Sequence, residues 1–600
     1  MPALTYRLCP AQPRSHRLRI EFDVPAAFSS QARHLCLAAW TPGSYKIRDY
    51  ARHLLGLTLR NGAGQALTVT PVDKHSWELP ADPAGWRLEL EFYAREDSVR
   101  GAFLNGERGL FDGAGIFPRL DGLEDEPLDL EILPPPGTEG WRVATAMPAD
   151  EIDVAGWGRY TCADWWELID HPIGMGEFTR LEFEAEGIPH GLAIFGAADT
   201  DHQALGEDLT AVCSEHVRQM GEAPHDRYLF LLRLGAGGDG GLEHRWSSTL
   251  AADRRALPRR LRPRNRDYRS FLGLVSHEYF HLWNVKRMRP QRLAASHLDA
   301  EAYTEDLWVY EGVTSYLDDY TLRRAGLLSV EEYLGELARS LTRLALTPGR
   351  FRQSLAQSSR DAWIRLYQGG EHLPYSTVSY YLKGALVALA LDLTLRLASD
   401  GATDLPALMR AIWQRYREGA EALPERCLEE TAAALPGLSA DLDLPAFFER
   451  YVRGTEDPDF AALLQPFGVL ARCRPPSGLD DPGGASNEPA VSVDLGVRLA
   501  PDALAVTAVD PDSAAQNAGL QPGDTLLAWN GERLTRARLE SRLRTSHAGE
   551  HVSLHWFSDE RLASAELSLP PAAENRWVLA PDPAADSSAR ARRAAWLGAE

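Results

Sequence analysis

Hydrophobic and polar positions alternate in short runs through the N-terminal part of the chain. His16–Phe22, Trp86–Ala94 and Leu128–Leu133 place apolar residues at every second position, with Pro, Gly and Asp in the gaps. A period of two predicts strands with one buried face, so residues 1–165 read as a β-sandwich-like domain. From residue 166 strands alternate with helices. Asp226–Leu234 is an apolar strand, and the glycine-rich turn Gly235–Gly240 follows it. Leu272, Val275, Tyr279, Leu282 and Trp283 then recur at helical spacing. Asp267 is the candidate N-cap of that helix, Lys286 and Arg287 suit its C-terminal dipole, and Pro290 stops it. Further helices are predicted at Glu305–Tyr320, Val330–Leu346, Tyr380–Ala398 and Pro406–Glu418. Arg474–Pro489 has linker composition, residues 490–570 are again β-rich, and the last thirty residues hold a short helical tail at best.

Length adds to this picture, since 600 residues exceed one core. The expected division of this multidomain α+β chain is 1–165, 166–345, a helical domain over 346–473 that completes the active-site cleft, a linker over 474–489, 490–570, and a tail over 571–600. The 85 acidic against 63 basic residues give a formal charge of −22, which disfavours nucleic acid and anionic membrane as partners. The Gly384–Ala398 run is broken by Asp392 and Arg396, too soon for a membrane span. The N-terminus shows no apolar signal region, and six scattered cysteines read as reduced thiols, so a cytoplasmic protein is expected. Arg254–Arg269 carries eight arginines, either a solvated face or a patch that steers peptide carboxylates. The segment Trp40-Thr-Pro-Gly-Ser-Tyr45 is a dense turn signal, either a structural corner or a loop bordering a cleft.

The chemistry concentrates in Ser276–Pro290, S-H-E-Y-F-H-L-W-N-V-K-R-M-R-P. On a helix, His277 and His281 stand four positions apart, so both rings leave one face with Cβ atoms roughly 5–6 Å apart. Two imidazoles so placed close on one zinc ion, and Glu278 beside them holds a water as general base. A catalytic zinc needs a third protein ligand. Glu311, thirty positions after His281 on the next predicted helix and followed by Gly312, is the candidate.

These segments, with L-W-V-Y-E-G-V-T-S-Y and Y-Y-L-K-G-A-L-V-A-L-A-L-D, resemble the glycyl aminopeptidase family of zinc metallopeptidases, part of the gluzincin group. The resemblance implies a thermolysin-like zinc peptidase domain with a helical extension and one Zn2+ ion held by His277, His281 and Glu311. Larger gluzincin aminopeptidases place that glutamate nearer the second histidine. Tyr381-Leu-Lys-Gly384 matches their Y-x-K-G, whose tyrosine hydroxyl stabilises the oxyanion; Tyr380 is adjacent and Tyr375 close. Gly240-Gly241-Leu-Glu243-His244 is similar to their G-x-M-E-N strand, with Leu for Met and His for Asn. It implies that Glu243 binds the substrate's α-amino group while the strand with Gly240 and Gly241 pairs with substrate backbone. The family implies peptide substrates with a free N-terminus, glycine preferred and alanine tolerated.

Residues 495–531, with Leu495–Val497 as carboxylate turn, a short helix near Ser513–Ala518 and Gly523-Asp524, resemble a bacterial PDZ domain. Such a module adds a peptide C-terminus by strand addition or packs against its neighbour. An inactive PDZ scaffold and an endopeptidase on the same zinc site are the competing readings. Glu278 disfavours the first, since a scaffold has no need of a base. Glu243 separates the second, since an endopeptidase has no terminal amine to hold.

Overall fold

The structure, a computed structural model, describes residues 3–30, 33–196, 199–235, 238–259, 264–417 and 421–599. The chain forms two compact units. The first comprises Met1–Thr304, Leu317–Ala325 and Pro406–Thr431; the second comprises Glu305–Tyr316, Gly326–Leu405 and Ala432–Glu600. Mixed helices and sheets make up both, as the α+β reading expects.

In the first unit, β1 (Leu4–Gln12), β2 (Arg17–Val24), β3 (Trp86–Tyr93) and β4 (Leu128–Ile132) lie within an eight-stranded sheet. β1 runs parallel to β4, Leu4 opposite Leu128, and antiparallel to β2. The alternation does what its period requires. Leu18, Ile20, Phe22 and Val24 are buried, and Tyr6 stacks on Phe22 at 3.9 Å. On the other face, charges pair across strands, Arg17 with Glu91 at 2.6 Å and Arg7 with Asp23 at 2.6 Å. Two four-stranded sheets complete this β-rich region. Thr41–Ser44 is a tight turn closed by the Ser44 amide on the Thr41 carbonyl at 3.1 Å. Pro42 presets the first central position, and Gly43 supplies φ +84° at the second.

The five-stranded sheet contains β5 (Phe178–Ala185), β6 (Ile188–Phe195), β7 (Tyr228–Leu234), β8 (Gly240–Glu243) and β9 (Ser247–Ala252), in the order β5-β6-β7-β9-β8. β6, β7 and β9 are parallel and buried in their centres, and α1 (His202–Met220) links β6 to β7. Next, α2 (Arg266–Phe280) carries His277, with His281 as its C-cap.

The ends of α2 differ from the reading of the sequence. Asn265, not Asp267, is the N-cap, its side chain accepting from the Tyr268 amide at 2.8 Å. The helix stops at Phe280, ten residues before Pro290. Val285 turns at φ +90°, and the Lys286 amide donates back to the His281 carbonyl at 3.2 Å. Tertiary partners outcompete helix propagation here. Lys286 Nζ meets Asp170 at 2.6 Å, and Arg287 Nη1 donates to the Arg245 carbonyl at 3.0 Å. Residues 236–237 of the glycine-rich turn, 260–263 of the arginine-rich stretch and 418 at the end of the predicted 406–418 helix lie outside the described residues. Of the described arginines there, Arg264 is pinned to Asp208 at 3.0 Å and the exposed Arg255 pairs with Asp253.

The predicted helix Glu305–Tyr320 starts as a π turn, Trp308–Gly312, and continues as α3 (Val313–Arg324). In the second unit, α4 (Val330–Ala345) opens with a capping box from Ser329 and Glu332. In α5 (Tyr380–Ala398), Asp392 and Arg396 are buried but mutually paired at 3.1 Å. The Tyr316 hydroxyl adds a bond to Asp392 at 2.6 Å, and Asp404 one to Arg396 at 3.0 Å. Among the described residues no helix is long and apolar enough to cross a membrane.

The C-terminal segment carries more than a short helix. β10 (Val469–Arg474) pairs along its whole length with a strand from the far end of the chain. Between them lie β11 (Val497–Leu499), β12 (Val506–Val509) and α6 (Arg536–Thr545), which surround an apolar core including Leu495, Leu526, Trp529, Leu539 and Trp556. The returning strand is β13 (Arg576–Pro581), and α7 (Ser587–Leu597) ends the chain. Trp596 on α7 is fully buried, edge-on to Phe467 and Tyr333, and donates to the Tyr316 hydroxyl at 3.2 Å. Trp596→Ala should therefore lower stability by about 3–5 kcal/mol. Urea denaturation followed by circular dichroism checks this, and an unchanged midpoint would make α7 dispensable.

Candidate active site

His277 on the last turn of α2 and His281 at its C-cap lie with ring centroids 4.8 Å apart. Each ring is held through Nδ1. His277 Nδ1 faces Asp318 Oδ2 at 3.2 Å, and His281 Nδ1 faces the Asn284 carbonyl at 3.0 Å. Such bonds fix tautomer and ring orientation and turn Nε2 toward a ligand. The last of them exists because the helix ends early, so the turn after Phe280 is part of the site.

Within the first unit, Glu243, Glu278 and His281 each offer one ligand atom, and these atoms lie within 4.8 Å of one another. Glu311 sits in the π turn, a helix irregularity that recurs at functional sites. Two imidazoles and a carboxylate are a donor set that zinc takes.

Glu278, on α2 between the histidines, is 5% exposed. Burial holds its carboxyl above the ordinary carboxylate range; His277 and His281 oppose that shift, and Glu243 adds to it. It lies against bare backbone, since a Cβ on Gly241 would meet Glu278 Oε1 at 2.0 Å. Glu243, at the end of β8, is 3% exposed, and the Thr41–Ser44 turn stands on its carboxylate. A Cβ on Gly43 would come within 2.4 Å of Glu243 Oε1. Both carboxylates are underused: Glu243 Oε1 and Glu278 Oε2 are buried with no hydrogen-bond partner among the described residues. Buried acceptors left this way are costly, and they point to a donor or cation that arrives with a ligand. A cavity of about 530 Å³ adjoins Glu243, with Trp40, Gly43, Tyr45, Glu243, Trp246 and Lys286 in its wall.

Asp170 ties this wall together. It accepts from Lys286 Nζ at 2.6 Å and the Arg245 amide at 3.1 Å, and faces His244 Nδ1 at 3.3 Å. Burial alone would raise its carboxyl, but Lys286 and His244 hold it well below the usual range. Asp170, Asp318 and Gly43 are contributors that the sequence reading did not single out for these roles. Gly43 lies in the Trp40–Tyr45 turn signal, and Asp318 lies in the Y-L-D-D-Y run that follows Glu311.

In the second unit, the rings of Tyr380 and Tyr381 stack with centroids 4.6 Å apart. The Tyr367 hydroxyl reaches both, at 2.6 Å and 2.8 Å. Lys383 is fully buried and anchors α5 to Asp457 at 3.1 Å. The glycines of the E-G and K-G pairs touch. A Cβ on Gly312 would lie 2.6 Å from Gly384 Cα and 2.8 Å from the Tyr380 carbonyl. The π turn that bears Glu311 thus lies backbone to backbone on the start of α5. Gly384→Ala should push them apart, costing about 1–3 kcal/mol and lowering bound metal. Thermal melting and metal analysis check this, and wild-type values for both would show the close approach to be unimportant.

The M61 glycyl aminopeptidase family model matches residues 270–387, the M61 N-terminal domain matches 5–177, and a PDZ domain matches 505–556. No curated protein matches the chain. An aminopeptidase N family protein from Idiomarina loihiensis is similar in structure, with TM-score 0.93 and 32% identity over 99% of this chain and 100% of that one. Weaker likenesses are an M1 zinc metallopeptidase from Deinococcus radiodurans (TM-score 0.46, 13% identity, 76% of this chain and 96% of that one) and yeast LTA4 hydrolase (TM-score 0.47, 12%, 78% and 70%). With matching models over the N-terminal, catalytic and PDZ regions and a relative alike from end to end, the chain belongs to the M61 glycyl aminopeptidase family and is a hydrolase of peptide bonds.

Proposed function

We propose that this chain is a zinc aminopeptidase that removes the N-terminal residue of peptides, with glycine preferred and alanine next. The observation that carries the reading is the pair of buried, partnerless carboxylate oxygens on Glu243 and Glu278 beside the two imidazoles. His277, His281 and Glu311 would hold one zinc ion. Bound there, zinc would act as a Lewis acid and acidify a water.

The chain's own groups do the rest. Asp318 and the Asn284 carbonyl keep the imidazoles oriented. Glu278 takes a proton from the attacking water and hands it to the leaving amine, a task suited to a carboxyl whose affinity for protons burial has raised. Glu243 receives the substrate's ammonium group and so counts one residue from the end. Gly240 and Gly241 offer strand backbone to the substrate, and the missing side chain at Gly241 is what lets Glu278 approach. Tyr381, with Tyr380 as the alternative, donates a hydrogen bond to the oxyanion, a contribution of about 10²–10³ in rate. The preference for a small first residue is taken from the matching glycyl aminopeptidase family model, and the Thr41–Ser44 turn stands on the Glu243 carboxylate that would receive the amine. An endopeptidase would gain nothing from that buried anion.

Glu278→Gln should cut hydrolysis of glycyl p-nitroanilide by at least about 10² while keeping zinc, measured by metal analysis of the same sample. Full activity would remove the proposed base. Glu243→Ala should lose free-amine substrates far more than their N-acetylated forms, and equal losses would count against an exopeptidase.

A further inference from the structure

The stretch Arg474–Pro489 has the composition of a loose connector, yet a buried knot organises it. The Asp481 side chain, 3% exposed, accepts from Arg474 Nη1 at 2.5 Å. It also accepts from the Ser477 amide at 2.7 Å, the Ser477 hydroxyl at 2.9 Å and the Gly483 amide at 2.9 Å. Although burial opposes it, these bonds hold the Asp481 carboxyl well below the usual range. The Asp481 carbonyl accepts from Arg576 Nε at 2.8 Å. Fixed at this point, the preceding residues lie along α6. Arg544 Nη2 donates to the Ser477 carbonyl at 2.6 Å, Glu540 Oε1 accepts from the Leu479 amide at 3.3 Å, and both Asp480 oxygens meet Arg536 Nη2 at 2.5 Å.

Arg536, Glu540 and Arg544 are spaced by four, so they form one face of α6, and the strap crosses it from the helix C-terminus to its N-terminus. Leu479 packs on the same apolar core as Val497 and Leu499 of β11. Arg536 also bridges to the carbonyls of Ala500 and Ala503 just beyond β11, at 3.0 Å and 3.1 Å. Among the described residues β11 pairs only with β12, leaving one edge of the kind to which an extended peptide adds. Its Arg498 side chain is engaged, donating to the Leu346 carbonyl at the end of α4.

We propose that Ser477–Asp480 is the resident ligand of the PDZ module, seated on α6 where an external peptide would compete with it, so that in the resting chain the module is a closed internal clamp. A segment tethered this closely acts at high effective concentration, and any outside peptide binds only through the fraction of molecules whose strap is released. The inference does not depend on the zinc reaction.

The test uses the full chain and a Leu479→Ser/Asp480→Ala variant, both remote from the groups assigned to catalysis. Amide exchange by mass spectrometry reports whether 477–480 is released. Fluorescence anisotropy with a fluorescein-labelled pentapeptide ending in Val-Ala-Leu and a free carboxylate reports access. The variant should exchange faster at 477–480, bind the peptide at least about tenfold more tightly than the wild type, and keep wild-type hydrolysis. Equal peptide affinity in both proteins, no gain in the variant despite faster exchange, or unchanged exchange at 477–480 would each overturn the proposal.

Discussion

Two carboxylates taken out of water without donors of their own are the constraint around which the first unit is arranged. Isolated burial of an anion costs several kcal/mol unless a partner arrives. Glu243 and Glu278 sit within ligand distance of His281, and each lies against a glycine rather than a side chain. Gly241 admits the Glu278 carboxylate, and Gly43 lets the N-terminal domain's turn close over Glu243. The local unfavourable terms are balanced by packing elsewhere, in the parallel strands β6, β7 and β9 and the apolar face of α2. A substrate ammonium and a divalent cation are the species that would relieve them.

The strongly periodic features were readable from residues alone. The H-E-x-x-H face, the α5 helix at its observed bounds, the strand read over Asp226–Leu234 and observed over Tyr228–Leu234, and the alternating N-terminal strands all follow from local pattern. What resisted reading was set by distant partners. Asp267 looked like a cap, but Asn265 sits at the position whose side chain reaches the open amide of Tyr268. Lys286 and Arg287 looked like a helix end, but Asp170 and the Arg245 carbonyl claim them. The π turn at Glu311 has no propensity signal, because it is imposed by the contact of Gly312 with Gly384, more than seventy positions later. Asp170 matters through what it holds, and nothing in its sequence neighbourhood announces it.

Polar composition misled in a similar way near the C-terminus. Prolines, glycines and aspartates at 474–489 read as a spacer. Instead Asp481 gathers Arg474, Ser477 and Gly483 into a fixed loop, and the strand after the PDZ module returns to pair with β10. The same physics explains α5, where Asp392 and Arg396 argue against a membrane span in the sequence and prove to be a buried, mutually satisfied pair. In both places a charge signals a tertiary partner rather than exposure to water.

The most direct measurement of the central claim is a zinc-edge anomalous difference map from crystals grown with zinc and glycine amide. The account predicts one anomalous peak within about 2.3 Å of His277, His281 and Glu311, with the ammonium group of the amide against Glu243. A peak that omits any of the three, or an amide bound with its ammonium away from Glu243, would contradict it.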